Sequence, residues 1–438
     1  MKRMAILLLA LSLSALLLVG TFAATGKSYS LTNVMAILNG LLYGNTTDEM
    51  DVNSDGAVTL ADGVLALRYA VTKGWKLTKD FEVEISESGT NWWDRGVQYP
   101  RVVELEDGTL LATFEELNAG LVSGGPSYPI YRSTNSGKSW TKITNVRDNA
   151  TDMQSEWNPQ LFVLSKPLGN YAAGTVLLAG CSIDAAHSTK SAIRLYASTN
   201  GGAKFDKPIT IAEGGGNGDG VWEPFLLQLD DGRLVCFYSD DTGTQHSQRI
   251  VYKVSSDGVN FSDAVEVVAS KKQAERPGMP VVTRLGDGTY FMVYEVVNHA
   301  SIDGNPVFYR TSPDGLNWGD KTNLGTAIVS GKKALGSAPY CTWLPIGADD
   351  CGTLIVSGTF MRKGSSSTGT SYFVSTDKGA TWSTVDHLIS YDATVDHAGY
   401  SNCIVASADG RTVYAMNNPI YSSLEDRCKI VFAKATFK

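Results

Sequence analysis

The sequence predicts an all-β fold, a six-bladed β-propeller preceded by a small α-helical module. Six times along the 438 residues, a Pro or Asn leads into an alternating apolar run, then an Asp-Gly or equivalent turn, then a second β-rich run. The copies are about 55 to 65 residues apart and begin at Pro100, Pro159, Pro224, Pro280, Pro339 and Asn402. Each copy supplies two strands, and a repeat of this length predicts one blade per copy.

A second repeat, S-x-D/N-x-G-x-x-aromatic, lies between the strand pairs. Its copies are Ser133–Trp140, Ser198–Phe205, Ser255–Phe261, Ser312–Trp318 and Ser375–Trp382, two of them one residue shorter. The Asp or Asn ties down its own backbone, the Gly adopts the left-handed conformation, and the aromatic packs between sheets. This structural turn is the Asp-box, or BNR repeat. Its phase with the strand pairs makes residues 77–438 resemble a six-bladed propeller of the sialidase superfamily.

The segment 428–437, CKIVFAKATF, is strand-like and comes too late to start a seventh blade. We expect it to close the ring by pairing with the first blade, because an open propeller would expose a sheet edge.

Residues 1–24 have the pattern of a signal peptide. Lys2 and Arg3 precede an apolar run that ends near Val19, and small residues follow through Ala24. The run is short for a membrane span, and no basic stop-transfer cluster follows it. We therefore expect a secreted, extracellular protein, with an uncleaved anchor as the alternative and association with a cellulosome left open.

Charge and cysteine content exclude several classes of partner and scaffold. The net charge of -8 is spread along the chain without basic clusters, so neither nucleic acid nor an anionic membrane is an expected partner. The six Cys match neither a disulfide-rich scaffold nor a zinc pattern. Cys236 and Cys403 lie in strand-like runs and are expected to be buried. Cys341 and Cys351 flank one turn and either pair or stay free.

Residues 25–76 contain a calcium-loop pattern, DVNSDGAVTLAD, in which Gly56 permits the sharp turn. The expected metal ligands are Asp51, Asn53, Asp55, Ala57 and Asp62. A helix follows the loop, and a similar helix, Leu31–Tyr43, lies 29 residues earlier in register. The segment resembles a dockerin with one of its two calcium sites intact. The resemblance implies bound Ca2+ and a cohesin on a scaffold protein as partner; a surface turn without metal is the alternative.

Antiparallel strand pairs bring the first residues of one strand and the last residues of its partner to the same face. Charged residues at these places are therefore expected to line one funnel. They are Arg101, Glu115, Glu116, Asp184, Glu223, Asp240, Asp241 and Glu295.

Glu223 and Glu295 stand out in this set because they come from adjacent blades. Glu223 begins a strand in VWEPF, and Glu295 ends the strand FMVYE. Paired carboxylates across a sugar-sized gap perform glycoside hydrolysis: one, kept protonated by an apolar surround such as Trp222, protonates the leaving oxygen, and the other attacks or stabilises the anomeric carbon. The alternative is two independent rim carboxylates, each paired with Arg.

The WEPF context, the YE strand end 72 residues later and the blade plan resemble glycoside hydrolase family 93. These are retaining exo-arabinanases that release arabinobiose from α-1,5-linked L-arabinan. The resemblance implies Glu223 as acid/base, Glu295 as nucleophile, arabinan or an arabino-oligosaccharide as substrate, and no cofactor for catalysis. We expect the substrate to contact Arg101, Trp157, Asn158, Trp222, Tyr294, Tyr340, His397 and Tyr400.

Two other functions remain open on this fold. A sialidase needs three Arg converging on the substrate carboxylate, but Arg101 follows its Pro where the sialidase Arg precedes one, and Arg276 is the nearest other candidate. A non-catalytic carbohydrate-binding propeller would use the funnel aromatics as a sugar platform. The gap between the two Glu carboxyl groups discriminates: roughly 5 to 5.5 Å for a retaining enzyme, 6.5 to 9.5 Å for an inverting one, and more for a binding protein.

Overall fold

The computed structural model of the protein describes residues 31–47, 50, 58, 77–87, 96–116, 127–148, 153, 155–184, 189–216, 218–346, 351–363, 366–367, 369–395, 398–420 and 429–437. Helix α1 (Leu31–Tyr43) has the bounds that the sequence pattern predicts. No helix within these ranges is both long and apolar enough to cross a membrane. The expected calcium ligands, residues 51, 53, 55, 57 and 62, lie outside the described residues, as does His397.

The rest of the described chain is arranged as four-stranded antiparallel sheets. Strand β1 (Leu77–Glu87) comes first in the chain and joins the last sheet. Sheet 1 consists of β2 (Val97–Glu104), β3 (Leu110–Glu116), β4 (Tyr128–Ser133) and β5 (Thr141–Val146). Sheet 2 consists of β6 (Ser155–Val163), β7 (Val176–Ile183), β8 (Ser191–Ser198) and β9 (Ile209–Gly214). Sheet 3 consists of β10 (Val221–Gln228), β11 (Leu234–Asp240), β12 (Arg249–Ser255) and β13 (Val265–Val268).

The second half of the chain continues the pattern with one insertion. Sheet 4 consists of β14 (Arg276–Arg284), β15 (Tyr290–Val297), β16 (Val307–Ser312) and β17 (Thr326–Ala327). A small additional sheet consists of β18 (Val329–Ser330), β19 (Lys333–Gly336), β22 (Phe360–Lys363) and β23 (Ser366–Ser367). Sheet 5, which it interrupts, consists of β20 (Tyr340–Leu344), β21 (Thr353–Ser357), β24 (Ser371–Ser375) and β25 (Ser383–Asp386). Sheet 6 consists of β26 (Cys403–Ala406), β27 (Thr412–Asn417), β28 (Lys429–Phe437) and β1.

The first strands of sheets 1 to 6 contact one another in turn, and β26 of sheet 6 also contacts β2 of sheet 1. The second strands lie between sheet faces: every residue of β7, β11 and β21 is buried. Large apolar side chains fill the spaces between neighbouring sheets, among them the fully buried rings of Phe114, Phe237, Phe291, Phe373 and Phe432. The all-β, multi-sheet arrangement fits a propeller, in which each sheet packs face to face against two others.

The Asp-box turns have the structural role that the sequence predicts. In the first copy, Asn135 Oδ1 accepts from the amide of Ser139 at 3.0 Å, and Ser133 Oγ accepts from the amide of Gly137 at 2.9 Å. The Trp140 ring then packs edge-on against Phe432 of sheet 6, with centroids 5.1 Å apart. Each such turn fastens its own sheet to the preceding one.

The chain closes differently from the prediction that the last segment pairs with the first blade. β28 lies inside sheet 6, between β27 and β1, and is not paired with sheet 1. β1 supplies the outer strand of that sheet, from Leu77 opposite Phe437 to Glu87 opposite Lys429. A strand from before the first repeat therefore completes the last sheet, which covers the edge of β28.

Disulfides contribute nothing to the described part of the fold. Cys341 is a buried free thiol and therefore does not pair with Cys351, which resolves the alternative left open by the sequence. Cys181, Cys236 and Cys403 are free and buried, as expected of apolar core residues for the last two.

We predict that Gly137→Ala destabilises the protein far more than Gly108→Ala. Both glycines have left-handed backbones, with φ of 88° and 81°, so each Ala incurs a strain of about 1 to 2 kcal/mol. An added Cβ at Gly137 would lie 2.2 Å from the Phe432 ring, whereas nothing lies within 4 Å of the one at Gly108. We expect Gly137→Ala to cost about 1 to 3 kcal/mol more in chemical denaturation. Equal losses would show that this turn does not clamp sheet 1 to sheet 6.

Candidate active site

The inner strands share an unusual backbone feature at their funnel ends. These inner strands are the first strands of sheets 1 to 6. In or just before the first strand of sheets 1 to 5, the residue that precedes a Pro has a positive φ. Ser401, which precedes Asn402 at the start of sheet 6, has the same conformation. The residues and angles are Tyr99 (57°), Asn158 (51°), Glu223 (60°), Met279 (56°), Ala338 (44°) and Ser401 (50°). In sheets 1 to 4 this residue falls in a break of the register between the first two strands. None is Gly, so each left-handed turn is strained, and strain of this kind concentrates at functional sites.

Three of these backbone amides bind side chains on the preceding sheet. The break in pairing frees the amides of Asn158 and Met279, and Ala338 lies just before the start of β20. Ala338 donates its amide to Glu295 Oε2 at 2.8 Å. Met279 donates to Glu223 Oε2 at 2.9 Å, and Asn158 donates to Glu115 Oε1 at 2.6 Å. A main-chain donor holds its acceptor rigidly, so these three carboxylates are fixed in place before any ligand binds.

Glu223 is a part-buried carboxylate at the left-handed position of β10. Its Oε2 accepts from Ser239 Oγ at 2.6 Å in addition to the Met279 amide. Burial and the nearby charge of Glu295 raise the pKa of Glu223 to about 7, against the opposing effect of these two hydrogen bonds. Glu223 therefore keeps its proton at a pH where an ordinary Glu is ionised.

Glu295 lies near the end of β15 and is 8% exposed. Burial raises its pKa above the ordinary value, while the Ala338 amide, the Ser337 side chain and the charge of Arg276 lower it. Because the charge of Glu295 acts on the pKa of Glu223, the two carboxyls are electrostatically coupled. The pair thus combines a carboxyl that retains its proton with one whose ionised form is supported by an amide and a cation.

A cavity of about 340 Å³ opens beside Glu223, and its volume is within the range of small-ligand sites. It is lined by Gln98, Glu115, Trp157, Asn158, Trp222, Glu223, Asp241, Gln248, Arg276 and Tyr400. The rings of Trp157 and Trp222 lie 6.4 Å apart and form its apolar wall. Carboxylates, amides and indole rings together suit a neutral polyhydroxylated ligand.

One side of the cavity is held by a network around Asp241. Its Oδ2 accepts from Trp222 Nε1 and from Arg276 Nη2, each at 3.1 Å. Arg276 Nη2 also donates to Gln248 Oε1 at 2.6 Å. The buried Asp241 carboxylate thereby neutralises the Arg276 guanidinium, and its hydrogen bond from Trp222 orients that indole ring in the cavity wall.

The predicted site residues fall into three groups. Trp157, Asn158, Trp222, Glu223 and Tyr400 line the cavity. Glu295 is not among the lining residues, but its charge is near enough to Glu223 to raise the pKa of that carboxyl. His397 and the calcium ligands are outside the described residues.

Three predicted substrate-binding residues are buried and are not among those that line this cavity. Tyr294 is fully buried, and its hydroxyl donates to the carbonyl of Leu324. Strand alternation explains this, because the residue before Glu295 points to the opposite face of the sheet. Arg101 and Tyr340 are 4% and 9% exposed and lie together, with the guanidinium 5.1 Å from the Tyr340 ring centroid. Arg101 donates instead to Ser401 O and Ser401 Oγ, which joins sheet 1 to the chain entering sheet 6.

The funnel rule places Glu115 and Asp241 at this face, and both line the cavity. Gln98 and Gln248 were not predicted. Both could have been found by extending the rule to uncharged polar residues, since Gln98 stands beside the left-handed Tyr99 and Gln248 immediately precedes β12. Across the described ranges, no group of three or more His, Cys, Asp or Glu is arranged to hold a metal ion.

Solved structures resemble this chain closely. An α-L-arabinanase from Penicillium chrysogenum, complexed with arabinobiose, shares 30% identity at a TM-score of 0.70, over 83% of this chain and 99% of that one. A family 93 α-L-arabinofuranosidase of Fusarium graminearum, also with arabinobiose, shares 26% identity at a TM-score of 0.68, over 83% of this chain and 98% of that one. A Hadza microbial sialidase shares 15% identity at a TM-score of 0.53, over 78% of this chain and 65% of that one, and is alike in fold alone. No protein-family model and no curated protein matches the chain.

The site has two carboxyls whose charges interact, and one of them lines a cavity of carboxylates, amides and indole rings. On an all-β multi-sheet fold, this site defines a glycoside hydrolase. The identity to the arabinanase over nearly all of that enzyme gives the family. The chain belongs to glycoside hydrolase family 93.

We predict that Glu223→Gln stabilises the folded protein at neutral pH. The pKa of Glu223 is about 7 in the folded state and 4.5 ordinarily, so the folded state holds a proton that the unfolded chain releases. Stability from this group therefore falls as pH rises from about 4.5 to 7 and is level outside that window. A difference of one in pKa corresponds to about 1.4 kcal/mol, so we expect a gain on the order of 3 kcal/mol at pH 7.5 and almost none at pH 4.

The measurement is denaturant unfolding of both proteins across this pH range. Glu106→Gln, at an exposed turn position, is the matched control and should leave the curve unchanged. A gain that is the same at pH 4 and pH 7.5 would contradict the raised pKa.

Proposed function

We propose that the protein is a secreted, retaining exo-arabinanase that releases arabinobiose from α-1,5-linked L-arabinan. The reaction takes place on a propeller whose six blades are sheets 1 to 6. Glu223 is the acid/base and Glu295 the nucleophile. The observation that carries the proposal is the coupled pair itself, held by amides of neighbouring sheets, in a chain whose similar solved structures contain arabinobiose.

In the first step, an oxygen of ionised Glu295 bonds to the anomeric carbon while the bond to the leaving oxygen breaks. Glu223 gives its proton to that oxygen as it leaves. Two features support these roles. Glu295 accepts a hydrogen bond from the Ala338 amide and is near the charge of Arg276, and both favour its ionised form. The pKa of Glu223 is about 7, so this carboxyl can carry the proton. The site thus begins the step with the proton on the correct carboxyl.

In the second step, water attacks the anomeric carbon and displaces Glu295. Glu223, now ionised, takes a proton from that water as a general base. Ser239 Oγ and the Met279 amide donate to Glu223 Oε2 and stabilise this ionised state. The same two donors therefore keep the pKa of Glu223 low enough for it to serve in both directions.

The cavity lining favours a neutral pentose over a sialic acid. The lining of the cavity includes one arginine, Arg276, and Asp241 already neutralises its guanidinium. A substrate carboxylate would need free Arg charges to repay its desolvation. Trp157, Trp222 and the amides of Gln98 and Gln248 instead provide stacking and uncharged hydrogen bonds, which a furanose oligomer can use.

For the N-terminal part we propose a signal peptide at residues 1–24 and a dockerin-like module at 25–76. The sequence pattern of the loop supports Ca2+ as its ligand and a cohesin as its partner. Neither is required by the proposed mechanism, which uses carboxylates of sheets 3 and 4.

Incubation with debranched linear arabinan, sialyllactose and a panel of other glycans tests the proposed substrate. We expect arabinobiose as the dominant early product from linear arabinan, with no release of sialic acid. A ladder of longer oligomers at early times would mean endo action. No product from arabinan, with turnover of another glycan, would refute the substrate.

We predict that the loss of activity depends on the leaving group of the substrate in Glu223→Ala but not in Glu295→Gln. Glu223→Ala should depress hydrolysis of arabinan by several orders of magnitude but spare formation of the glycosyl-enzyme from an aryl glycoside, whose leaving group needs no proton. Glu295→Gln should abolish turnover of both substrates, because the amide cannot attack. Pre-steady-state release of the aryl alcohol measures this contrast. Equal losses on both substrates in Glu223→Ala would assign that residue a binding role alone.

A further inference from the structure

Glu115 occupies in sheet 1 the same repeat position that Glu295 occupies in sheet 4. Each lies in the second strand of its sheet, opposite the residue that precedes the left-handed position: Glu115 pairs with Gln98, and Glu295 pairs with Gly278. In sheets 2 and 3 the same position holds Cys181 and Ser239. The repeat therefore does not require a carboxylate at this position.

The amide that binds Glu115 is also the counterpart of the one that binds Glu295. Asn158 donates to Glu115 Oε1 at 2.6 Å, as Ala338 donates to Glu295 Oε2 at 2.8 Å. Gln98 Nε2 donates to the other oxygen, Glu115 Oε2, at 2.7 Å. Asn158 Nδ2 also lies 3.4 Å from Oε1, which is a long contact. Both oxygens are thus fixed by uncharged donors. Oε2 retains a lone pair that can accept a further hydrogen bond, and the long contact at Oε1 can give way to a stronger donor.

Glu115 is 1% exposed, yet it lines the same cavity as Glu223. A buried carboxyl bound by amides alone is costly unless a ligand completes its hydrogen bonds. Burial raises its pKa to about 7, while the two amides and the charge of Arg101 oppose that rise. Two further buried polar atoms at this cavity have no hydrogen-bond partner, Gln98 Oε1 and Asp241 Oδ1. Acceptors without donors, contributed by two different sheets to the lining of one cavity, indicate a ligand rich in hydroxyl groups.

We propose that Glu115 is a third substrate-site carboxylate, which accepts hydrogen bonds from hydroxyls on neighbouring carbons of the sugar ring bound between it and Glu223. It binds and orients the sugar and transfers no proton. The proposal rests on the proposed function for its choice of sugar, a pentofuranose, but the geometry applies to any ring with a vicinal diol.

Calorimetric titration of arabinobiose into the wild type and Glu115→Gln tests the proposal. The amide keeps the shape and can still accept a hydrogen bond from Asn158, and it removes a carboxyl whose raised pKa opposes folding. The variant should therefore fold and should melt no lower than the wild type at neutral pH. We expect arabinobiose to bind at least about 10-fold more weakly, because charge-assisted hydrogen bonds to two hydroxyls are lost. Binding within twofold of the wild type would overturn the proposal.

Glu156→Gln is the matched control. Glu156 is also a buried carboxyl, 2% exposed, that accepts from a backbone amide, that of Asp148, and from Ser182 Oγ at 3.0 Å. It does not line the cavity, so its substitution should leave the affinity unchanged. A loss in both variants would show that removing any buried carboxyl charge of this region weakens binding, which would also overturn a direct contact.

Deoxy analogues of arabinobiose separate contact from support. Removing the contacted hydroxyl should weaken binding to the wild type but have little further effect in Glu115→Gln, whereas a merely structural role gives additive losses. If the wild type does not bind arabinobiose, the proposed substrate fails. The same comparison is then made with a disaccharide that the wild type does bind, chosen from a panel of disaccharides built from pentoses and hexoses. There a 10-fold loss in Glu115→Gln still supports the contact, and a wild type that binds none refutes both proposals.

Discussion

The site depends on one interaction, the hydrogen bond from the amide of a left-handed residue in one inner strand to a carboxylate of the preceding sheet. Asn158, Met279 and Ala338 donate in this way to Glu115, Glu223 and Glu295. In an unbroken ladder these amides would pair with the neighbouring strand. The bulge releases the amides of Asn158 and Met279, whereas Ala338 lies just before the start of β20. The strained backbone turns all three amides towards the adjoining sheet. Each carboxylate is thereby positioned by main chain that belongs to a different sheet.

This arrangement makes the position of the carboxylates a property of how the sheets pack. The amide and its acceptor keep their distance only while neighbouring sheets hold their spacing. Aromatic contacts such as Trp140 with Phe432 and Trp318 with Phe237 fix that spacing at the opposite face. The pairing of β1 with β28 completes the last sheet of the series. The structural turns and the chemistry are thus linked, although they lie at opposite ends of the strands.

The same carboxylates oppose folding at neutral pH. Burial raises the pKa of Glu115 and of Glu223 to about 7, so the folded protein must hold protons that the unfolded chain gives up. A chain with an extensive core between its sheets can tolerate this cost. Proteins commonly give up stability at functional sites in this way, because a preorganised charged site is worth more to the reaction than to the fold.

Much of this could be predicted from the sequence, because repeats report on local geometry. The strand pairs, the Asp-box turns, the bounds of α1 and the face shared by Glu115, Glu223 and Asp241 all follow from short-range patterns. Long-range pairing could not be predicted: β1 lies before the first repeat, and nothing local indicates that it completes sheet 6. Tyr294 and Arg101 lie outside the cavity lining for a different reason. Strand alternation turns Tyr294 away from the face of Glu295, and the bulge around Tyr99 changes which residues of β2 face the cavity, which the sequence does not mark.

The central claim is that Glu223 and Glu295 act together as acid/base and nucleophile on one anomeric carbon. The most direct measurement is the anomeric configuration of the first product released from linear arabinan, followed by proton NMR before mutarotation. Two inversions by a carboxylate pair predict an α-configured product, the same as the substrate linkage. A β-configured first product would contradict the account, because it requires a single displacement by water and leaves Glu295 without a nucleophilic role.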